Sequence, residues 1–491
     1  MSIFDSIRFV VNNETIYKMF INGEWIEASR KQTQDVKSPI NDSLLAKVQK
    51  ASKEDAEKAV QTAFDAKSVI ANMDTAERGK LLDKMGDLLE QHKEEFIDII
   101  SWESGKTKSL AEGELKASIA RLHYAADEAK QIRGEVIKAD STKHGKTMAM
   151  MIRQPLGVIL AITPFNYPLF TGIAKIAPAL AAGNSVVVKP ASADPICLLM
   201  FGKIMQEADL PKGVVNIVTG SSSAIGDYLS SHEKINMISF TGSSEVGKHI
   251  ASIAGMKKLH LELGGKAPAV VLEDCDFDTA VKEVAIGSLK FSGQRCDAIS
   301  RVLVVDSIAD SFVNAMLEEV KKWKLGDPRE PETVVGPLIS EASAKKVEEL
   351  VNDAVSKGAK LLAGGKKYDL GYYEPTVLDH VTRDMRIAWE ETFGPVVTII
   401  RVKDYNEAIA LANESEFGLD ASIFTKDIDK ALDAAQRLES GSVHINAHPT
   451  HGVGLYPFGG DESSGMGREG IKQSVEDMTK LHAVVYHPYA K

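Results

Sequence analysis

Cysteine is scarce. The chain has three, Cys197, Cys275 and Cys296, none in a Cys-x-x-Cys pair, and joining any two leaves the third over. A disulfide scaffold is therefore excluded, and a reducing, cytoplasmic setting is expected. Positive charge is also short: 58 lysines and arginines face 69 acidic residues, a net charge of −11. That field repels a phosphate backbone, so nucleic acid is excluded as a partner, and any anionic substrate must be held by a local cluster of cations. No apolar h-region follows the N-terminus, which removes the secretory reading. The longest uncharged run, 156–174, carries Pro164, Asn166 and Pro168 at its centre, so it is a strand, a loop and a helix start rather than a membrane span. Glycine and proline, 37 and 17 of 491 residues, are too few for a disordered, collagenous or mucin-like chain.

Several familiar patterns are missing too. There is no HExxH, no GxSxG and no P-loop. Gly465 to Gly470 spells GxGxxG, but it follows the polar DESS segment instead of a strand. Asp274, Asp276 and Asp278 open like a calcium loop, yet Thr279 and Ala285 stand where glycine and glutamate are needed.

What is present is an alternation. Length alone implies about two or three packed units. MFINGEWIEA turns at Asn22-Gly23, a pair suited to a type I′ hairpin. Ser52 with Asp55 can cap a helix to about residue 70, and the apolar face from Leu81 through Leu88, Leu89 and Phe96 to Ile100 predicts one longer helix, followed by another over 109–133. TMAMMIRQ is a strand. From residue 157, GVILAI, SVVVK, VVNIV, NMISF and KLHLEL alternate with amphipathic helices; PAVVL, RVLVVD, VVTIIRV, ASIFTKD and GSVHIN then repeat the arrangement. Both sets read as βαβ units forming parallel sheets, with ligands at the carboxyl ends of the strands. The closing LHAVVYH has no neighbour in sequence; it is expected to pair with 147–154 or with another subunit.

Two motifs carry chemistry. In LELGGK, Glu262 ends an apolar strand and two glycines allow close approach of a ligand. By itself Glu262 reads more readily as a surface charge at a strand end. In FSGQRC, Cys296 stands beside Arg295, an electropositive setting expected to favour thiolate.

Together with TPFNYP from Thr163, Val188-Lys189-Pro190, FTGS from Phe240 and EETFGP from Glu390, in that order along the chain, these motifs resemble the aldehyde dehydrogenase superfamily from about Phe20 to the C-terminus. Arg295 before the cysteine, Tyr167 after Asn166, IGDY from Ile225, and His451-Gly452 ahead of Tyr456-Pro457-Phe458 are most similar to the non-phosphorylating glyceraldehyde-3-phosphate dehydrogenases, the archaeal type in particular.

The resemblance implies an α/β fold of two Rossmann-related domains with a small β oligomerisation element: residues 1–138 and 156–266 for cofactor, 267–476 for catalysis, and 139–155 with 477–491 for assembly, as a dimer of dimers. It implies Cys296 as nucleophile, the Asn166 amide and the Cys296 N–H as oxyanion hole, and Glu262 as the base that hydrolyses the thioester. On the cofactor side it implies Lys189 at the adenosine ribose, Gly242 and Ser243 at the pyrophosphate, and Glu391 with Phe393 at the nicotinamide ribose; Thr163, Gly220 and Asp227 follow from their motif positions. Ser192 replaces the glutamate by which NAD-preferring relatives hold the 2′-hydroxyl, which points to NADP, with NAD also accepted. Arg295, Tyr167 and His451 are the candidate substrate residues, for a small phosphorylated aldehyde. His451 departs from an arginine of the bacterial pattern, and the helical arginine near Lys116 is missing. Lys116, Arg121 and His123 are candidate substitutes for it, though they read first as a solvated helix face. The expected reaction is oxidation of D-glyceraldehyde 3-phosphate to 3-phosphoglycerate without an acyl phosphate. The alternatives are lactaldehyde, succinate semialdehyde or free glyceraldehyde as substrate, or a non-catalytic protein on the same fold.

Overall fold

A computed structural model describes residues 2–138 and 147–487; the expected assembly elements at 139–146 and 488–491 lie outside the described residues. Five strands, Lys258–Glu262, Met237–Thr241, Val158–Ile162, Ser185–Lys189 and Val215–Ile217, lie side by side and parallel in that order. They are the first five apolar runs. Their side chains alternate between two cores, which is why the runs need no polar face. Ile159, Ala161, Val186 and Val188 pack beneath the helices Pro168–Ala181 and Ile196–Glu207. Val158, Leu160 and Val187 face the helix Lys53–Ala71, whose start is fixed by the Ser52/Asp55 capping box. The Asn22-Gly23 hairpin extends one edge of this sheet, with φ of 59° and 72° at the two turn residues.

The second set builds a seven-stranded sheet in the order Lys360–Ala363, Thr376–Asp379, Val396–Val402, Ile299–Val305, Ala267–Val271, Asp420–Phe424, Ser442–Ile445, parallel except at its first strand. Helices cover both faces. Near its end the chain returns to the first sheet, where Gly465–Met466, the start of the GxGxxG look-alike, pairs antiparallel with Leu261 and Glu262. The strand Thr479–Tyr486 pairs along its whole length with Met148–Pro155, and Glu135–Lys138 completes a three-stranded sheet. Of the two partners expected for the last strand, the described structure supplies the one within the chain.

Two features depart from expectation. The single helix predicted across 81–100 is two, Thr75–Gln91 and Lys93–Ser104, broken at His92. Both halves bury their apolar residues in one core, so the periodicity runs through the break unchanged. A four-stranded sheet of Arg8–Val11, Glu14–Tyr17, Leu44–Gln49 and Thr33–Lys37 was not expected. Among the described residues no helix is long and apolar enough to cross a membrane.

Candidate active site

Ile162, Lys189, Thr241 and Glu262 are the last residues of four neighbouring parallel strands, so the loops beyond them open on one edge of the first sheet. A cavity of about 330 Å³ lies there, lined among others by Asn166, Glu262, Arg295, Cys296, His451 and Glu469. Residues from both large sheets therefore meet in one chamber.

Cys296 is brought to it by an unusual turn. After the helix Phe277–Leu289 the chain takes left-handed conformations at Phe291, Ser292 and Gly293, with φ of 53°, 55° and 70°. Two non-glycine residues held in that region are strained, and the neighbourhood must hold them. Ser292 Oγ donates to Gly336 O at 2.8 Å, and Gln294 Oε1 accepts from Ile339 N at 2.8 Å. From the other side, Asn166 Nδ2 donates to Gln294 O at 3.0 Å. One amide hydrogen is used in that bond, which leaves the second for a ligand oxygen. Gly265 completes the seating, because a Cβ there would stand 2.1 Å from the Cys296 carbonyl oxygen.

The electrostatics correct one expectation. The site does not favour thiolate: burial first, then the carboxylates of Glu262 and Asp297, push the Cys296 thiol well above the ordinary range. Arg295 does not offset this, because its guanidinium turns away, Nη2 donating to Gly287 O at 2.7 Å and Nη1 meeting Asp297 Oδ1 at 3.3 Å. Glu262 is buried, not a surface charge, and burial raises its carboxyl to about 7. Its Oε1 makes no hydrogen bond among the described residues.

His451 carries positive charge. Burial opposes that charge, but the Asp420 carboxylate, 2.9 Å from Nε2, holds the imidazole at about 9. Its ring stacks on Phe458 at 3.8 Å. Tyr167 lines the same cavity and stands edge-on to Phe291. Of the three helix residues read as solvated, two are so: Lys116 pairs with Glu112 at 2.6 Å and His123 with Asp83 at 2.9 Å. Arg121 is not. It is fully buried against the Phe170 ring, and its three guanidinium nitrogens make no hydrogen bond among the described residues.

Of the expected cofactor residues, Lys189 ends a strand of the first sheet and Thr163, Gly242 and Ser243 stand just beyond the ends of two others. Lys189 is buried, its amine donates to Pro190 O at 3.5 Å, and burial lowers it to about 8. Thr163 N donates to Lys189 O at 3.3 Å, and its hydroxyl has no hydrogen-bond partner among the described residues. Ser192 Oγ donates to Gly220 O at 3.1 Å. Gly242 N donates to Glu262 O at 3.1 Å, and Ser243 caps the helix Ser244–Ile253. Asp227 lies on the surface, 2.9 Å from His249. Glu391 accepts from Gly265 N at 3.1 Å, and Phe393 packs edge-on to Phe165. A hydroxyl without a partner among the described residues, a helix N-terminus and a buried amine fit a dinucleotide diphosphate.

Several residues of the chamber escaped the sequence reading. Asp420 and Asp297 sit in unremarkable stretches. Glu469 was hidden inside the GxGxxG look-alike; burial opposes its charge, yet Lys175 and Arg121 hold it down to about 2. Lys175 could have been found, since it is the one charge in the apolar helix Pro168–Ala181. Its Nζ donates to Thr241 Oγ1 at 2.8 Å and lies 3.5 Å from Glu469.

A half-buried thiol, a carboxylate titrating near neutrality and an amide with a spare hydrogen, at the mouth of a parallel sheet, are the parts of an aldehyde-oxidising site, and the chain does belong to the aldehyde dehydrogenase family, whose model matches residues 25–484. It is 41 % identical over 472 residues to the NADP-dependent glyceraldehyde-3-phosphate dehydrogenase of Streptococcus equinus, covering 96 % of this chain and 98 % of that one. It is 40 % identical to the lactaldehyde dehydrogenase of Methanococcus aeolicus, covering 95 % and 99 %. The crystal structure of NADP-dependent glyceraldehyde-3-phosphate dehydrogenase from Bacillus halodurans C-125 complexed with NADP superposes with a TM-score of 0.94 at 42 % identity, over 96 % of this chain and 99 % of that one. The fold is that of an aldehyde dehydrogenase.

Proposed function

We propose that the protein oxidises D-glyceraldehyde 3-phosphate to 3-phosphoglycerate with NADP, and also accepts NAD. The observation that carries the phosphorylated substrate is the charged His451, held by Asp420 in the same chamber as Cys296. It supplies the cation that a negatively charged molecule needs locally, and Arg295 Nε and the Tyr167 hydroxyl add donors.

The chemistry follows from the protonation states. The Cys296 thiol releases its proton to solvent as its sulfur adds to the aldehyde carbon. The Asn166 amide and the Cys296 N–H hold the resulting alkoxide. NADP, when bound along Lys189, Ser192, Gly220, Asp227, Gly242, Ser243, Thr163, Glu391 and Phe393, supplies the hydride acceptor. The carbonyl left on sulfur is a thioester, again polarised by Asn166. Glu262 then takes a proton from water, whose oxygen forms the new C–O bond as the C–S bond breaks. Carboxylate leaves and the thiol is restored, with no acyl phosphate formed.

We assign residues 1–138 and 156–266 to cofactor binding and 267–476 to catalysis. Segments 139–155 and 477–491 serve assembly into a dimer of dimers in the cytoplasm; the outward Ile152, Leu481 and Val485 are exposed apolar residues that a second subunit would cover.

A second reading is favoured by Arg295, whose two Nη groups are already engaged by Gly287 and Asp297: a small hydroxyaldehyde such as lactaldehyde asks less of it. Rates with glyceraldehyde 3-phosphate, glyceraldehyde and lactaldehyde, each with NADP and NAD, decide between the readings. Arg295→Ala should lower kcat/KM about 10- to 150-fold for the phosphorylated aldehyde and much less for glyceraldehyde. Equal loss for both overturns the phosphate assignment.

A further inference from the structure

Lys106 belongs to no motif, yet it is fully buried between the two loops that make the site. It sits in the turn linking the helices Lys93–Ser104 and Lys108–Ala129. Its backbone is fixed there: Gly105 has φ 74° and packs on Pro337 and Pro39, and Ser101 Oγ donates to Lys106 O at 2.7 Å. The side chain ends in two aromatic faces, with Nζ 3.7 Å from the centre of the Tyr167 ring and 4.5 Å from that of Phe291. One N–H goes to Glu114 Oε2. The other oxygen of Glu114 accepts from Leu169 N at 3.0 Å and Phe170 N at 3.1 Å, capping the helix that begins immediately after Asn166-Tyr167.

These contacts converge on a mechanical problem. Asn166 rides on the first sheet and Cys296 on a left-handed, strained loop of the second. An amide that stabilises an alkoxide must stay in register with the sulfur that creates it, and a misplacement of about 1 Å can lower a rate about 10²-fold. The hydrogen bond from Asn166 to Gln294 and the edge contact between Tyr167 and Phe291 tie the loops directly. An ammonium attracted to both ring faces ties them again, and through Glu114 it anchors the helix behind Asn166. We propose that Lys106 is a positioning residue, which clamps the Asn166–Tyr167 turn to the Phe291–Cys296 loop and so sets the rate at which the thiol captures an aldehyde. The inference rests on the reading of Cys296 and Asn166 given above.

Lys106→Met alone strands Glu114 as an unpaired buried carboxylate and endangers folding. Lys106→Met with Glu114→Gln removes that charge and keeps an acceptor for the two backbone N–H groups. In rapid mixing of this double variant with NADP and glyceraldehyde 3-phosphate, the burst of reduced cofactor should slow roughly 10²-fold. The dissociation constant for NADP and the rate of Cys296 alkylation by iodoacetamide, which needs no oxyanion hole, should match the parent. A burst at the parent rate overturns the clamp. So does an equal loss in burst and alkylation, which would place the effect on the thiol itself. A parent enzyme that gives no burst with any aldehyde would instead overturn the reading of the site, which keeps the two failures apart.

Discussion

The two walls of the chamber are built differently. On the first-sheet side, Lys189, Thr163, Gly242 and Glu262 take their places from the ends of adjacent strands, and much of their bonding is to backbone a residue or a strand away. On the other side, charges are held by particular side chains and carbonyls: His451 by Asp420, and Arg295 by Asp297 and Gly287. A sheet edge gives a repeating row of positions to any sequence that forms it. A buried charge must be neutralised individually, and which partner does so depends on the whole fold. The first wall is therefore suited to a cofactor that many enzymes share, the second to one substrate.

The largest expected effect tests the junction of the walls. Cys296→Ser should abolish formation of reduced cofactor, since a serine hydroxyl ionises far less readily than a thiol and Glu262 at about 7 is too weak a base for it. Cys197→Ser and Cys275→Ser, neither of which lines the chamber, should be silent in the same assay.

Next comes the first wall's own base. Glu262→Gln removes one of the charges that oppose the thiolate, so one equivalent of reduced cofactor should still appear in a burst, while steady turnover falls about 10²- to 10⁴-fold and acyl-enzyme accumulates, visible by mass spectrometry. In the parent, turnover should rise with pH through about 7, because the raised carboxyl acts only when ionised. A profile flat between pH 6 and 8 would remove Glu262 from the hydrolytic step.

The second wall is tested at Asp420. Asp420→Asn leaves His451 without the carboxylate that keeps it charged, so its titration should fall back toward the ordinary histidine range, near pH 6.5. At pH 8 kcat/KM for glyceraldehyde 3-phosphate should drop roughly tenfold, and at pH 6 the gap from the parent should narrow. A loss independent of pH would mean that Asp420 supports the loop and not the charge.

The smallest effect returns to the first wall. Ser192→Glu, on an exposed turn, should weaken NADP binding about fivefold while leaving NAD nearly unchanged, as expected for a carboxylate near a 2′-phosphate partly screened by water. Equal losses would show that the position does not sense the 2′ group.

The same contrast explains what could be read from the amino acids alone. The parallel strands were legible because continuous apolar runs bounded by glycine, proline or asparagine have few other uses, and the residues at their ends came with local motifs. The four-stranded N-terminal sheet was not: its strands are short, amphipathic and paired across long gaps, as where Tyr17 meets Val48. The break at His92 was invisible because both helices serve one core. The charge state of Cys296 was misjudged for a related reason. Arg295 is adjacent in sequence, but its guanidinium points elsewhere, and the neighbours that matter, Glu262 and Asp297, raise the thiol instead of lowering it. Adjacency along the chain does not report direction in space.

The close approach of Gly265 to Cys296 acts as a depth stop. With only 2.1 Å between a would-be methyl carbon and the Cys296 oxygen, the nucleophile rests on bare main chain, one residue of one sheet bearing directly on another. Main chain cannot change rotamer, so variation among the surrounding side chains leaves the height of the sulfur above the sheet unaltered, and substrate preference is free to drift on the far wall while the reacting atom keeps its level. The same stop has no slack: one added carbon at position 265 lifts the thiol from its seat, and the whole adjustable wall then faces a nucleophile at the wrong height.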